Sequence, residues 1–230
     1  MIILACATEL ESRAALNRRS SGRACGPERA EIGSREILAC VVGIGPVAAA
    51  LNIGGLLERF PGITGILNLG ICGSFDTGRI PLGTPCVASA EIWPEYGVRH
   101  SGPAEEAFTH QMLPDLILEP VNRLDLDPVA AAGAMGFALP GQWPAGPSLT
   151  VAGVSGYPER AEELRARHGA ATENMEGFSL ALAARRAGIP FLEVRTVSNP
   201  VGSRDKGQWD FRLALDALRT VLPTLAGVPA

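Results

Sequence analysis

Apolar positions along this chain of 230 residues fall into two rhythms. Short β-branched runs, IILACA, EILACVVGIG, GILNLG, TPCVAS, SLTVAGVSG and FLEVRTVS, read as strands bounded by turn residues. Between them lie PVAAALNIGGLLERF (46–60), ERAEELRARHG (159–169), MEGFSLALAARRAG (175–188) and DFRLALDALRTVL (210–222), which repeat apolar positions at helical spacing. Gly169 and Gly188 stand where helix C-caps belong. The alternation predicts an α/β chain, a single domain with a central mixed, mainly parallel sheet flanked by helices. The segment 93–143 is richer in Pro, Gly and charge. Apart from a helix predicted near 115–121, it reads as excursions and edge elements around a site at the strand ends.

Composition narrows the classes of function. Hydrophobic residues make up 47% of the chain and charged residues 19%, a globular balance rather than a disordered one. A net charge of -4 supplies no basic surface for nucleic acid or acidic membranes, and 5% aromatic residues supply few stacking platforms for single strands. The five cysteines, Cys6, Cys25, Cys40, Cys72 and Cys86, are odd in number, lack CxxC spacing and sit mostly in apolar stretches, which suits reduced thiols and a cytoplasmic protein. The opening MIILACATELES lacks a basic start and runs into Glu9 and Glu11, so it reads as a first strand and not as a signal peptide.

Four strand-end segments can carry chemistry. In ATELESRAAL, Glu9 and Glu11 open a short helix, where acids either serve the helix dipole or face a site. In VVGIGPVAAAL, Gly43 and Gly45 make a strand-to-helix turn with Pro46 at the first helical position. Such a turn either receives a phosphate or ribose oxygen on free N–H groups or simply turns the chain. Ala48 breaks the GxGxxG spacing, which weakens a dinucleotide reading. In LNLGICGSF, Gly70 and Gly73 either let a flat ligand approach the backbone or mark a packing constraint. In TENMEGFSLALAARRAG, Glu176 opens an apolar helix beside Met175. His100, His110 and His168 are far apart with no HExxH spacing, so no metal is expected, and neither GxSxG nor GxxxxGK[ST] occurs.

Taken in order, VVGIGPVAAALNIGGLLERFPGITGILNLGICGS, NMEG and RTVSN resemble the nucleoside phosphorylase and nucleosidase superfamily, over residues 1 to about 90 and 148–220. The resemblance implies a nucleoside phosphorylase-like fold. It places Glu11 on the attacking water, Glu176 on the ribose hydroxyls, Met175 against the sugar with Asn174 beside it, and Asn199 on the purine with Ser198 orienting it. Ile71 and Gly73 fall at the glycine-rich strand end that meets the substrate. Tyr157 either stacks on the base or packs ordinarily. Phosphorylases of the superfamily hold phosphate with an arginine and a hydroxyl residue where this chain has Asn68 and Ile71, so water is the expected nucleophile.

The ending VSNPVGSRDKGQWDFRLAL is similar to the futalosine hydrolase branch, which implies release of hypoxanthine from futalosine in menaquinone biosynthesis. Rival readings are a methylthioadenosine/adenosylhomocysteine nucleosidase, a purine nucleoside phosphorylase and a non-catalytic nucleoside-binding module. Asn199 decides among the bases, because an amide NH₂ offers two hydrogens to the N7 and O6 acceptors of a 6-oxopurine. Arg204, ahead of Arg79 and Arg99, is the candidate for futalosine's aryl carboxylate, and DKGQWDF is read as capping and packing the last helix. A small-molecule nucleoside substrate, no cofactor, no nucleic acid or membrane partner, and a homo-oligomer are what the resemblance implies.

Overall fold

The computed structural model describes residues 1–18, 26–99, 105–106 and 122–229. Its strands are β1 Ile2–Cys6, β2 Glu28–Ile32, β3 Arg35–Val41, β4 Gly65–Ser74, β5 Pro85–Ile92, β6 Val98–Arg99, β7 Glu105–Glu106, β8 Arg123–Asp125, β9 Ala145–Thr150, β10 Thr172–Asn174 and β11 Phe191–Pro200. Its helices are α1 Glu9–Ala15, α2 Pro46–Arg59, α3 Pro128–Ala134, α4 Pro158–His168, α5 Gly177–Ala187 and α6 Phe211–Ala226. The helix expected near 115–121 lies outside the described residues, as do His100, His110 and Cys25. The other four cysteines are buried and free.

The main sheet runs β10-β9-β5-β11-β4-β1-β3-β2, with β8 added to β5. It is mixed, and the parallel pairs β1–β3, β1–β4, β4–β11, β5–β9 and β9–β10 outnumber the antiparallel ones. Strand β10 pairs with β9 and, antiparallel, with β4, so β4, β11, β5, β9 and β10 close into a ring.

The alternation along the strands sorts side chains into two cores, one per face. Ile2, Leu4 and Cys6 of β1 join Ile37, Ala39, Leu67, Leu69, Leu192 and Val194 under α1, α3 and α6. Ile3 and Ala5 point the other way, with Leu38, Cys40 and Ile66, under Ala49 and Ile53 of α2 and Phe178 to Ala184 of α5. Pro46 opens α2, and Gly169 and Gly188 end α4 and α5 in the left-handed conformation, as their positions in the sequence predict. No helix among the described residues is long and apolar enough to cross a membrane.

Leu192 is fully buried near the start of β11. Leu192→Ala is expected to lose about 2–5 kcal/mol of stability by removing apolar contacts and leaving a cavity, read as a shifted midpoint in urea unfolding.

Candidate active site

Strands β1, β4 and β11 are adjacent and parallel, so their C-terminal ends share one edge of the sheet. Residues 7–8, 71–73 and 198–199 meet there around a cavity of about 480 Å³. Its other walls come from Ile44 in the turn before α2, Met175 and Glu176 between β10 and α5, Val154 and Ser155 after β9, and Trp209, Phe211 and Leu215 at the start of α6.

Glu11 satisfies both readings of its acid at once. It is the third residue of α1, and its Oε2 accepts hydrogen bonds from the N–H and the hydroxyl of the N-cap Thr8, at 2.8 and 2.7 Å. Its other oxygen, Oε1, accepts from the Ile71 N–H at 3.0 Å across the strand ends. The carboxyl is only 4% exposed but lines the cavity. Burial pushes its pKa up, against the pull of Arg195, the Ile71 N–H and Thr8, while Glu176 adds to the rise. Glu9, by contrast, pairs with Arg13 at 3.0 Å across one turn of the helix, so only the second acid enters the site.

Arg195 of β11 ties the acids together. Its Nη2 donates to Glu176 Oε2 at 3.1 Å, its Nε to Glu193 Oε1 at 2.5 Å and its Nη1 to the Ile71 carbonyl at 3.0 Å. Burial opposes its charge, but Glu193, Glu176 and Glu11 outweigh that and raise its pKa. Glu176 Oε1 accepts from the Gly45 N–H at 3.1 Å. The Gly43–Gly45 turn, with φ of 85° and 94°, uses its Gly45 N–H to aim Glu176. Of the two readings of Gly70, the packing constraint fits. A Cβ there would stand 2.7 Å from Glu11 Oε1, so this glycine makes room for the acid and not for a flat ligand.

Asn199 follows a register shift between Val197 and Asn199 that sets it opposite Gly73. Ser198 Oγ lies 2.8 Å from Asn199 Oδ1 and 3.0 Å from the Cys72 carbonyl, and so orients the amide. Asn199 Nδ2 donates to the Pro200 carbonyl at 3.0 Å. One of the two amide hydrogens is therefore already committed, and one is left for a ligand.

The remaining expected residues divide. Met175, Ile71, Gly73 and Arg204 line the cavity. Asn174 borders it, but its amide hydrogen bonds run into the protein. The Oδ1 accepts the N–H groups of Glu176 and Gly177, both at 2.8 Å, and the Nδ2 donates to Glu91 and Ser148, also at 2.8 Å each. Asn174 thus shapes the entry to α5. Tyr157 is not on the cavity: it is the N-cap residue of α4 and 56% exposed, which corrects the stacking expectation. Arg79 borders a separate surface hollow near α4, and the side chain of Arg99 lies outside the described residues.

The sequence reading also missed residues. Arg195 hid in FLEVRTVS as an ordinary strand charge. Trp209 and Phe211 sit on the cavity wall, their rings edge-to-face at 5.6 Å, and Arg204 lies over the Trp209 ring at 5.0 Å. Only Asp210 of that stretch caps α6, through the Leu213 N–H at 2.8 Å. Glu173, buried beside the cavity, holds the N–H and hydroxyl of Ser155 at 2.9 and 2.6 Å. Among the described residues no cluster of three or more His, Cys, Asp or Glu is placed to hold a metal ion.

Residues 1–228 match the phosphorylase superfamily. The chain belongs to that superfamily. It is 40% identical over 166 residues to a futalosine hydrolase of Streptomyces coelicolor, a stretch covering 71% of this chain and 65%, just under two thirds, of that protein. It is 34% identical over 182 residues to a futalosine hydrolase of Thermus thermophilus, covering 76% of this chain and 75% of the other. A solved futalosine hydrolase of Helicobacter pylori has the same fold, with a TM-score of 0.73 at 17% identity over 98% of this chain and 97% of that one. A methylthioadenosine/adenosylhomocysteine nucleosidase of S. pneumoniae, solved with a transition-state inhibitor, gives 0.74 at 20% identity over 98% and 96%.

The environment of Glu11 has a measurable consequence. In a carboxyl ¹³C NMR titration Glu11 is expected to titrate above the ~4.3 of an unperturbed glutamate, whereas an ordinary or lowered value would contradict the burial described here.

Proposed function

We propose that the protein hydrolyses the N-glycosidic bond of futalosine, releasing hypoxanthine and dehypoxanthinyl futalosine in menaquinone biosynthesis. The observation that carries this reading is the placing of Asn199 on the same cavity as the Glu11, Arg195 and Glu176 network. The identity to futalosine hydrolases supports the choice of substrate. The whole chain then acts as one catalytic domain, in the cytoplasm, as its free buried cysteines suit.

Cleaving the bond builds positive charge on the sugar and negative charge on the departing purine. Glu176, aimed from the Gly45 N–H and Arg195, receives the ribose hydroxyls, and its hydrogen bonds strengthen as the ring becomes cationic. Glu11 takes one proton from the water whose oxygen forms the new bond to the sugar carbon. The pair of electrons from the broken C–N bond leaves with the purine, which takes a proton from solvent. Met175 packs against the sugar. The free hydrogen of Asn199 serves an acceptor on the base, while its Oδ1 is held by Ser198.

Two features favour water over phosphate. Asn68, standing where related phosphorylases carry an arginine, turns its amide to Glu193 at 3.1 Å and is buried away from the cavity. The Ile71 N–H is committed to Glu11. Of the two arginines on the cavity wall, Arg195 is buried and already ion-paired with Glu176 and Glu193, which leaves Arg204 for the aryl carboxylate of futalosine.

The outer face of α2 supports a second proposal, a homo-oligomer. Val47 and Leu51 are 80% and 75% exposed, with Ala50 and Gly54 on the same side. Ile44 and Leu10, which line the cavity, are exposed as well.

Incubating the protein with futalosine, inosine and methylthioadenosine, each with and without phosphate, is expected to give phosphate-independent hypoxanthine release from futalosine; phosphate-dependent turnover would sink the hydrolase reading. Asn199→Asp is expected to slow hypoxanthine release on the order of 10–100-fold and to gain activity on adenine nucleosides, since an unpaired buried polar group costs about 1–3 kcal/mol. An unchanged base preference would remove Asn199 from that role. In light scattering after size exclusion the protein is expected to run as an oligomer, and the double substitution Val47→Asp and Leu51→Asp to reduce it to a monomer.

A further inference from the structure

Behind Arg195 lies a second acid that the reaction does not use. Glu91 of β5 is fully buried, and Glu193 of β11 is 1% exposed. Glu193 Oε1 accepts from Arg195 and from Asn68, whereas Glu193 Oε2 is buried without a hydrogen-bond donor. An anionic oxygen left so would be costly. The two acids converge on Gly177: a Cβ there would stand 2.5 Å from Glu193 Oε2 and overlap Glu91 Oε1. Glycine at the start of α5 is what lets both carboxyl groups approach.

We propose that Glu91 is a positioning residue that holds a proton and donates it as a hydrogen bond to Glu193 Oε2, fixing Glu193 against Arg195 and thereby Arg195 against Glu176. The groups facing Glu91 fit a neutral acid. From β11 come Glu193 and Arg195, from β9 the Thr150 hydroxyl at 2.5 Å, from β10 the Asn174 amide at 2.8 Å, and from α5 the first backbone N–H groups, which Asn174 and Thr150 already accept. Burial, and then the charge and the hydrogen bond of Glu193, push the Glu91 carboxyl well above the usual range, with Thr150 and Arg195 pulling the other way. One proton then serves the orphaned oxygen and lowers the negative charge packed around a single guanidinium. The chain from Glu91 to Glu193, Arg195 and Glu176 carries this arrangement from the interior to the sugar-binding carboxylate. Its catalytic part rests on the proposed hydrolysis; the protonation does not.

The test compares wild type with Glu91→Gln, whose amide keeps a donor in the same place, and Glu91→Leu, which removes it. Infrared spectra at neutral pH are expected to show a protonated-carboxyl band in wild type that is absent from Glu91→Gln. The folded protein keeps a proton that the unfolded chain gives up above about pH 4.3, so wild type should lose thermal stability relative to Glu91→Gln as pH rises from there towards the folded-state pKa. With futalosine, Glu91→Gln should stay within about threefold of wild-type kcat and Glu91→Leu should fall by roughly tenfold or more. Wild type should also show an alkaline decline in kcat that Glu91→Gln lacks. Absence of a Glu91-dependent infrared band, or equal loss of kcat in the Gln and Leu variants, overturns the proposal. Wild type that leaves futalosine intact overturns the functional reading instead, and the infrared and stability measurements still decide the role of Glu91.

Discussion

One buried guanidinium, that of Arg195, is the counter-charge on which the acids of the site depend. Glu193 and Glu176 pair with it directly and Glu11 lies within its field. A buried ion pair gains little net stability, because desolvation offsets much of the attraction, but removing one partner strands the other and costs about 3–5 kcal/mol. Here several carboxylates share one cation, so the loss would fall on all of them together. The third bond of Arg195, to the Ile71 carbonyl, ties the guanidinium to the neighbouring strand, and the Ile71 N–H ties that strand to Glu11. A single residue on β4 thus registers Glu11 against Glu176, before any ligand arrives. Such pre-set dipoles and charges are most effective where charge develops later, because no reorganisation is needed at that moment.

This network exists only because the backbone makes room for it. Gly70 lets Glu11 reach the sheet, Gly177 lets Glu91 and Glu193 meet, and Gly45 turns a positive φ so that its N–H points at Glu176. Gly70 lies within β4 and Gly45 and Gly177 at helix starts, each beside a carboxylate. The glycine-rich look of these turns therefore reflects the packing of acids more than the cradling of a ligand.

The long elements were legible because they are amphipathic or apolar at a clear period: β1, β3, β4, β11 and helices α2, α4, α5 and α6 appear close to where the pattern sets them. What escaped lacks that signal. Strand β2 (ERAEI) is a mostly exposed edge element, β10 is three buried polar residues, and α3 is a seven-residue Ala-rich turn of helix. At the site, Glu11, Met175, Glu176, Ser198 and Asn199 were found through residue order. Arg195 and Glu193 were not, since charges two apart in a strand usually mark a solvent face. The missed signal was that Phe191 and Val197, on the same face as both charges, are apolar, so that face is buried as well. Trp209 and Phe211 were missed because aromatic residues at a helix start more often pack than line a cavity, and Tyr157 was expected on the cavity for the opposite error.

The distribution of charge gives the site a direction. In the proposed reaction Glu11, Glu176 and Arg195 serve the water and the sugar, while the base meets Ser198, Asn199 and backbone. With Asn199 sharing one hydrogen with the Pro200 carbonyl, the proposed reaction offers the departing purine a single amide hydrogen from this residue and no acidic proton. An aspartate in the same place would set a carboxyl against that same carbonyl and be driven to keep a proton. In the proposed reaction the amide removes that proton source, so stabilising the sugar cation through Glu176 and Glu11 carries the greater share. On the proposed reading, such a site discriminates by which acceptors the base presents to one oriented N–H and accelerates through the acids that Arg195 holds.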